Sequence, residues 1–218
     1  MKIPTKTEMA QLIENLRALA PKRPLTYGQS LEVARRQAGY LRLWVGGSAP
    51  ALSLTWFVQQ RYVPVHFVPS YAMKHKSGLT TDEIHNRLQV FINDNQPVLR
   101  QRFTLAHELK HILDFDDAPA LHANLGCGNE QTRKERVEMI ANEFAAYLLM
   151  PAALVEHIWL TTLDLSQCAR IFRVSEEAMH RRLVNLGFLE GREPTRRRHY
   201  RETLVEMPAE AKSIALVA

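Results

Sequence analysis

Apolar residues recur at helical spacing along most of the chain, which predicts a mostly helical protein. The spacing predicts helices over residues 5–20, 27–43 and 52–61. Strict alternation of apolar and polar residues in RLQVFIN (87–93) predicts a strand. The segment YVPVHFVPS (62–70) also alternates, but its two prolines restrict it to a sheet edge or a strand end. A small sheet is therefore expected before the middle of the chain.

Two longer helices are predicted after this sheet. The first has Asp94 or Asn95 as its cap and Pro97 in its first turn, and it extends to about Phe115. The second runs from about residue 129 to 150, with apolar residues at i, i+3, i+4 and i+7. These two helices carry the candidate chemistry.

A shorter pattern near the C-terminal side resembles a helix, a tight turn and a second helix over residues 165–188. Ser175 is the expected N-cap of the second helix, and Gly187 is its expected stop. His180, Arg181 and Arg182 would lie on that helix, where they are candidates for contact with DNA or a protein partner. DNA contact is the less favoured of the two. A helical pair that only packs against the catalytic domain is a third possibility.

Composition indicates an ordinary globular protein. Of 218 residues, 46% are hydrophobic and 23% are charged, and the two cysteines are too few for a disulfide scaffold. We found no signal sequence and no apolar run long enough to span a bilayer, so we expect a soluble cytoplasmic protein with no membrane partner. The net charge of +5 comes from arginines between Arg181 and Arg201, and residues 191–218 are expected to form a flexible basic tail.

The strongest chemical signal is HELKH, an HExxH motif on the first of the two long helices. His107 and His111 are four residues apart, so both imidazoles lie on one helix face and can share one metal ion. Glu108 is placed to accept a proton from an attacking water without itself being a ligand. Two histidines, a carboxylate and an open position favour zinc and hydrolysis.

The third ligand must come from elsewhere, and the second long helix offers several carboxylates. Glu138 and Asn142 are four residues apart, so one can bind the metal while the other hydrogen-bonds a ligating histidine. Spacing alone does not exclude Glu135. Candidates for stabilising the transition state are Tyr147, His122 and His85.

RQRFTLAHELKH (100–111) followed by ERVEMIANEFAAYLLMP (135–151) resembles the ImmA/IrrE family of metallopeptidases. The resemblance covers about residues 50–190 and implies an α+β, mostly helical, zincin-like core with a small sheet and a C-terminal helix-turn-helix-like segment. It also implies that Glu138 is the third zinc ligand and that Asn142 supports a ligating histidine. We therefore expect a helical segment at 1–48, a catalytic domain at 49–155, a helix-turn-helix-like segment at 156–190 and the tail.

The family resemblance further implies a narrow activity. The expected function is that of a zinc endopeptidase that cleaves a helix-turn-helix repressor in a stress or mobile-element response, with the repressor as its partner. Two alternatives remain at this point. One is the toxin of a toxin–antitoxin pair, with an antitoxin as the bound partner. The other is a zinc-containing transcriptional regulator without peptidase activity.

Overall fold

The computed structural model describes residues 3–69, 71, 78–82 and 87–190 of the chain. The strands are β1 (Val65–Val68), β2 (Gly78–Asp82) and β3 (Arg87–Asn93). The helices are α1 (Lys6–Arg17), α2 (Tyr27–Trp44), α3 (Thr55–Gln59), α4 (Val98–Asp114), α5 (Ala118–Leu121), α6 (Glu130–Leu149), α7 (Ala152–Thr162), α8 (Leu165–Phe172) and α9 (Glu176–Asn185). Helices predominate and the sheet is small, which confirms the α+β, mostly helical fold class.

Side-chain caps fix where the first two helices begin. Thr5 accepts a hydrogen bond from the Glu8 amide, and the Glu8 carboxylate accepts one from the Thr5 amide. Thr26 and Gln29 repeat this reciprocal arrangement at the start of α2. Each pair satisfies two backbone groups that the helix itself cannot, so both starts are encoded locally.

The start of α4 differs from the prediction, which had Asp94 or Asn95 as its cap. Asn93 accepts a hydrogen bond from the Asn95 amide and forms a turn, and Pro97 is the N-cap residue, with no side-chain hydrogen bond. The Asn93 side chain thus stabilises the turn before the helix, as asparagine side chains often do, and neither Asp94 nor Asn95 is the cap. The predicted helix over 52–61 is also shorter than expected, because only Thr55–Gln59 is helical.

The three strands form a mixed sheet in the order β1-β3-β2. β1 is parallel to β3, with Val65 opposite Val90, and β2 is antiparallel to β3, with Gly78 opposite Phe91. The sequence analysis did not predict β2. Its sequence, GLTTD, contains a glycine and an aspartate, both of which are depleted in strands, and it alternates too briefly to be recognised.

The chain divides into two compact units. The first comprises Met1–Ser48 and Leu52–Leu148; the second comprises Ala49–Ala51 and the described residues from Leu149 onward. The first unit contains the two N-terminal helices together with the sheet, α4 and most of α6. The four segments expected from the sequence stay a prediction.

Buried side chains tie the helices of the first unit together at their ends. Arg17 donates to the carbonyls of Ile112 and Leu113, near the C-terminal end of α4. Arg42 donates to the carbonyl of Leu148 at 2.8 Å, near the end of α6. The last carbonyls of a helix have no partner within it, so these arginines satisfy groups that would otherwise be buried without one. The largest fully buried residues of this unit include Met9, Leu12, Trp56, Phe57, Ile92 and Phe144.

In the second unit, α8 and α9 form the predicted helix–turn–helix. Ser175 caps α9 by accepting a hydrogen bond from the Ala178 amide, and Gly187 has a φ of +80° after the helix. The turn between the helices contains Arg173 at φ 54°, in the left-handed region where a glycine is usual. The helical pair therefore folds as expected, with a strained arginine at its turn.

The predicted contact residues of α9 require a correction. His180 and Arg182 are 4% and 3% exposed, so they are not available to DNA or a partner. Arg182 donates to the carbonyl of Met150 at 2.9 Å. Arg181 is exposed and forms an ion pair with Glu177. The apolar stripe of this short helix is flanked by His180 and Arg182, so packing buries them with it.

Candidate metal centre

The two histidines of the HExxH motif face one another on α4. Four residues separate His107 from His111, so they lie one helical turn apart on the same face. Their Nε2 atoms are 3.0 Å apart, and their ring planes are tilted by 67°. The helix thus presents two nitrogens to one point, as the motif predicts.

Glu138 of α6 completes a group of three candidate ligands. Its Oε2 is 3.3 Å from Nε2 of His107, and its Oε1 is 3.5 Å from Nε2 of His111. Two ligands of a tetrahedral zinc ion, each about 2.0–2.1 Å from the metal, are about 3.3 Å from one another. The observed separations match this geometry, so the three side chains fit a zinc ion.

Asn142 supports the first histidine from behind. Its Oδ1 is 2.9 Å from Nδ1 of His107. A carbonyl oxygen can only accept, so Nδ1 carries the hydrogen and Nε2 keeps its lone pair for a metal. The four-residue spacing of Glu138 and Asn142 therefore brings both to one imidazole. Glu135 instead accepts a hydrogen bond from Gln131 on the exposed side of α6.

Burial and nearby charges favour an ionised Glu138 and a neutral His111, which are the forms that can bind a metal. The hydrogen bond with His107 lowers the pKa of Glu138, despite the opposing effect of burial. Burial, reinforced by the nearby His107, lowers the pKa of His111 to about 4. Burial alone would lower the pKa of His107, but Glu138 and Glu108 outweigh it and raise that pKa. A bound proton therefore competes with a metal more strongly at His107 than at His111.

A cleft of about 820 Å³ opens over these ligands, and Glu108 is in its wall. Glu108 is 5% exposed and is next to His107 in sequence. Its lining includes apolar residues, and the first turns of α6 add charged ones. The remaining lining residues include Gly78, Phe115, Ala118, Pro119, Glu130, Arg133, Lys134 and Val137. The cleft is large enough for a segment of peptide, since ligand sites have volumes of about 300–1,000 Å³.

A buried polar network borders the same cleft. Lys110 donates to Asp114 at 2.5 Å and to Gln37 of α2 at 2.9 Å. The second oxygen of Asp114 is 3.2 Å from Nε2 of His122, and Gln37 donates to the carbonyl of Leu16. Sequence analysis named His122 but missed the network. The available signal was the spacing of Lys110 and Asp114, an i, i+4 pair of opposite charge.

The other two candidates for stabilising the transition state are Tyr147 and His85. Tyr147 is not among the described residues that line the cleft; its ring lies 5.2 Å beneath the guanidinium of Arg35 on α2. The role of Tyr147 in the transition state stays a prediction. His85 lies outside the described residues. Of the two candidates that the structure describes, His122 is found in the cleft wall.

No single helix in the described ranges has both the length and the apolar composition needed to cross a membrane; only α6 and α7 taken as a pair meet that test.

Two known proteins are similar to this chain. The chain is 37% identical over 97 residues to the radiation response metalloprotease IrrE of Deinococcus deserti, which covers 44% of this chain and 32% of that protein. The chain thus spans about a third of that relative's length. A solved structure of a Mycobacterium tuberculosis transcriptional regulator matches with a TM-score of 0.55 at 17% identity, covering 79% of this chain and 51% of that one, which shows a shared fold.

A match to a family model shows which protein family the chain belongs to. The model of the IrrE N-terminal-like domain, peptidase family M78, matches residues 60–184. This range contains the HExxH helix, Glu138 and Asn142, and it is more than half of the chain. The chain therefore belongs to the family of IrrE N-terminal-like domains, which are M78 peptidases.

Proposed function

We propose that this protein is a zinc-dependent endopeptidase of the cytoplasm that cleaves a regulatory protein of the helix-turn-helix repressor type during a stress or mobile-element response. The observation that carries the proposal is the convergence of His107, His111 and Glu138 at tetrahedral spacing, with Glu108 beside them in an open cleft. A structural metal site needs no such cleft, whereas a catalytic one must admit a substrate.

Each residue of the candidate metal centre has its own role in the proposed peptide hydrolysis. A bound zinc ion supplies the Lewis acid that polarises a carbonyl and makes water nucleophilic at neutral pH. Glu108 accepts the proton of the attacking water and returns it to the leaving amine. Asn142 holds His107 in the tautomer that offers Nε2. The 820 Å³ cleft accommodates an extended segment of the substrate next to Glu108.

The choice of substrate class is supported by the relative's name and by the family resemblance. The matched protein of Deinococcus deserti is named a radiation response metalloprotease, which is consistent with a stress role. The narrow, single-substrate activity that the ImmA/IrrE resemblance implies suits a protease that acts on a regulator. The burial of His180 and Arg182 weakens the alternative of a DNA-binding regulator, because two of its three proposed contacts are inaccessible.

The test compares newly formed protein N-termini in host cells after expression of the wild type or of Glu108→Gln. Glu135→Gln serves as the matched control, because Glu135 is an exposed glutamate that only hydrogen-bonds Gln131. We expect one new terminus, within a helix-turn-helix protein, in the wild type and the control but not in Glu108→Gln. A general base contributes about 10²–10⁴-fold to rate, so the variant's signal falls below detection.

Two results would count against this function. Identical profiles for the wild type and Glu108→Gln, under inducing stress and with zinc bound, would exclude a peptidase. A terminus in a protein with no regulatory role would retain the peptidase and reject the proposed substrate class. Growth arrest relieved by a neighbouring gene would instead favour the toxin–antitoxin alternative.

A further inference from the structure

The network at the edge of the cleft contains a histidine that the proposed function does not yet use. His107, His111 and Asp114 are at i, i+4 and i+7 of α4, so the Asp114 carboxylate lies on the ligand-bearing face, one turn beyond His111. His122 follows α5 and reaches this carboxylate through Nε2, at 3.2 Å. Both Asp114 and His122 are part of the cleft wall. The imidazole of His122 is thus held in the wall of the cleft that also contains the three candidate metal ligands.

The contacts of His122 fix which nitrogen is available. The carboxylate of Asp114 accepts the hydrogen of Nε2, because an ionised carboxylate has none to donate. No hydrogen-bonding partner of Nδ1 occurs among the residues that the structure describes. Because Asp114 takes the hydrogen of Nε2, Nδ1 is the ring nitrogen left for another group, and it can donate only when the ring carries both hydrogens.

Asp114 is itself held rigidly. Its pKa is lowered because Lys110 and His122 outweigh the effect of burial, so the carboxylate is ionised over the physiological range. Lys110 binds one oxygen at 2.5 Å and is anchored to Gln37 on α2, which leaves the second oxygen for His122. The orientation of the imidazole is therefore set by helices α2 and α4 and not by the loop that carries it. Such fixed donors are what a developing negative charge requires.

We propose that His122 is a catalytic residue that donates a hydrogen bond from Nδ1 to the substrate carbonyl oxygen as that oxygen becomes negative, with Asp114 as its positioning residue. The proposal rests on the peptidase function proposed above. No bond to His122 forms or breaks in this step; the proton that Glu108 carries goes to the leaving amine. His122 contributes only to the transition state, so its loss should lower kcat and leave KM nearly unchanged.

The experiment uses the zinc-loaded full-length protein and two synthetic probes. The first is a peptide that spans the cleavage site found by N-terminal profiling. The second is the same peptide with a phosphonamidate in place of the scissile amide, which carries the tetrahedral, negatively charged oxygen. The proteins are the wild type, His122→Gln and His157→Gln. His157 is an exposed histidine on α7 and serves as the matched control.

For His122→Gln we expect kcat to fall about 10²–10³-fold, as on removal of an oxyanion donor, while KM changes less than about threefold. Phosphonamidate affinity should fall in parallel, and zinc content should stay at one per chain. His157→Gln should behave as the wild type. Asp114→Asn should show the same split between kcat and KM with a smaller loss. The ratio of phosphonamidate to peptide affinity is taken on the same sample, so partial unfolding of a variant does not affect it.

The outcomes separate this inference from the function it rests on. A wild type that cleaves the peptide while His122→Gln cleaves it equally fast overturns the role of His122 alone. A loss of kcat in His122→Gln with an unchanged phosphonamidate-to-peptide ratio also overturns it, since His122 would then be structural. A zinc-loaded wild type that cleaves neither the peptide nor its parent protein overturns both proposals.

Discussion

Replacing Lys110 by methionine tests whether the ion pair between Lys110 and Asp114 supports the fold. Their side chains are 3% and 7% exposed, and the bond between them is 2.5 Å long. Methionine keeps most of the apolar stem but removes the charge, so Asp114 would be left buried with His122 as its remaining partner. Breaking a buried pair by removing one member costs about 3–5 kcal/mol. We expect a loss of that size in the free energy of unfolding at pH 8.

The sign of the pH dependence follows from Asp114. In the wild type, Lys110 keeps the pKa of this carboxyl below its ordinary value, so its contribution is fully present above about pH 4 and is lost only at lower pH. Without Lys110, burial raises the folded pKa above the unfolded value. The deficit of the variant is then largest at high pH and shrinks as Asp114 takes up a proton.

The assay is urea unfolding of chelator-treated protein between pH 5.5 and 8, with the wild type measured at each pH. The deficit should be smaller at pH 5.5 than at pH 8, because protonation of Asp114 removes the unpaired buried charge. Lys134→Met is the control, because Lys134 is 69% exposed and should change stability by less than about 0.5 kcal/mol. Lys110→Met/Asp114→Leu should recover more than half of the loss. A small deficit that does not vary with pH would refute this reasoning.

Two further predictions concern the zinc ligands and the turn of the second unit. Asn142→Ala should weaken zinc binding about 10–100-fold in a chelator competition, because His107 loses the group that orients it. Glu135→Ala is the control and should bind zinc as the wild type does. Equal zinc affinities of Asn142→Ala and the wild type would contradict the role of Asn142. Arg173→Gly should raise the free energy of unfolding by about 0.5–1 kcal/mol, because left-handed strain exceeds the entropy that glycine adds. The control is Arg170→Gly within α8, which should lower the free energy of unfolding by about 1 kcal/mol. If both glycine variants were more stable than the wild type, the strain at Arg173 would not be the cause.

Local sequence patterns were sufficient to predict the ligand-bearing elements. The HExxH spacing places two histidines on one helix face wherever that helix packs, and the spacing of Glu138 and Asn142 does the same on α6. The sequence could not decide between Glu138 and Glu135, because the choice depends on which face of α6 meets α4. The ImmA/IrrE resemblance favoured Glu138, and Glu138 is the carboxylate found near both histidines.

Features that depend on packing between distant elements were missed. The bond from Lys110 to Gln37 joins residues 73 positions apart, and no local pattern encodes it. His180 and Arg182 were candidates for contact with DNA or a partner, but on a helix of ten residues the sequence does not determine which face is buried. In the structure, the buried face contains Met179 and Leu183, and the neighbouring His180 and Arg182 are buried with it. Charge alone is therefore a poor guide to exposure on short helices.

The division of the ligands between two helices has a thermodynamic consequence. An ion bound by His107, His111 and Glu138 acts as a removable cross-link that closes a ring of about 30 residues containing α5. On the loop-entropy model, a cross-link of this size restricts the unfolded chain by about 3–4 kcal/mol. A chelator opens the ring without breaking a covalent bond, so the free energy of unfolding becomes a function of free metal concentration.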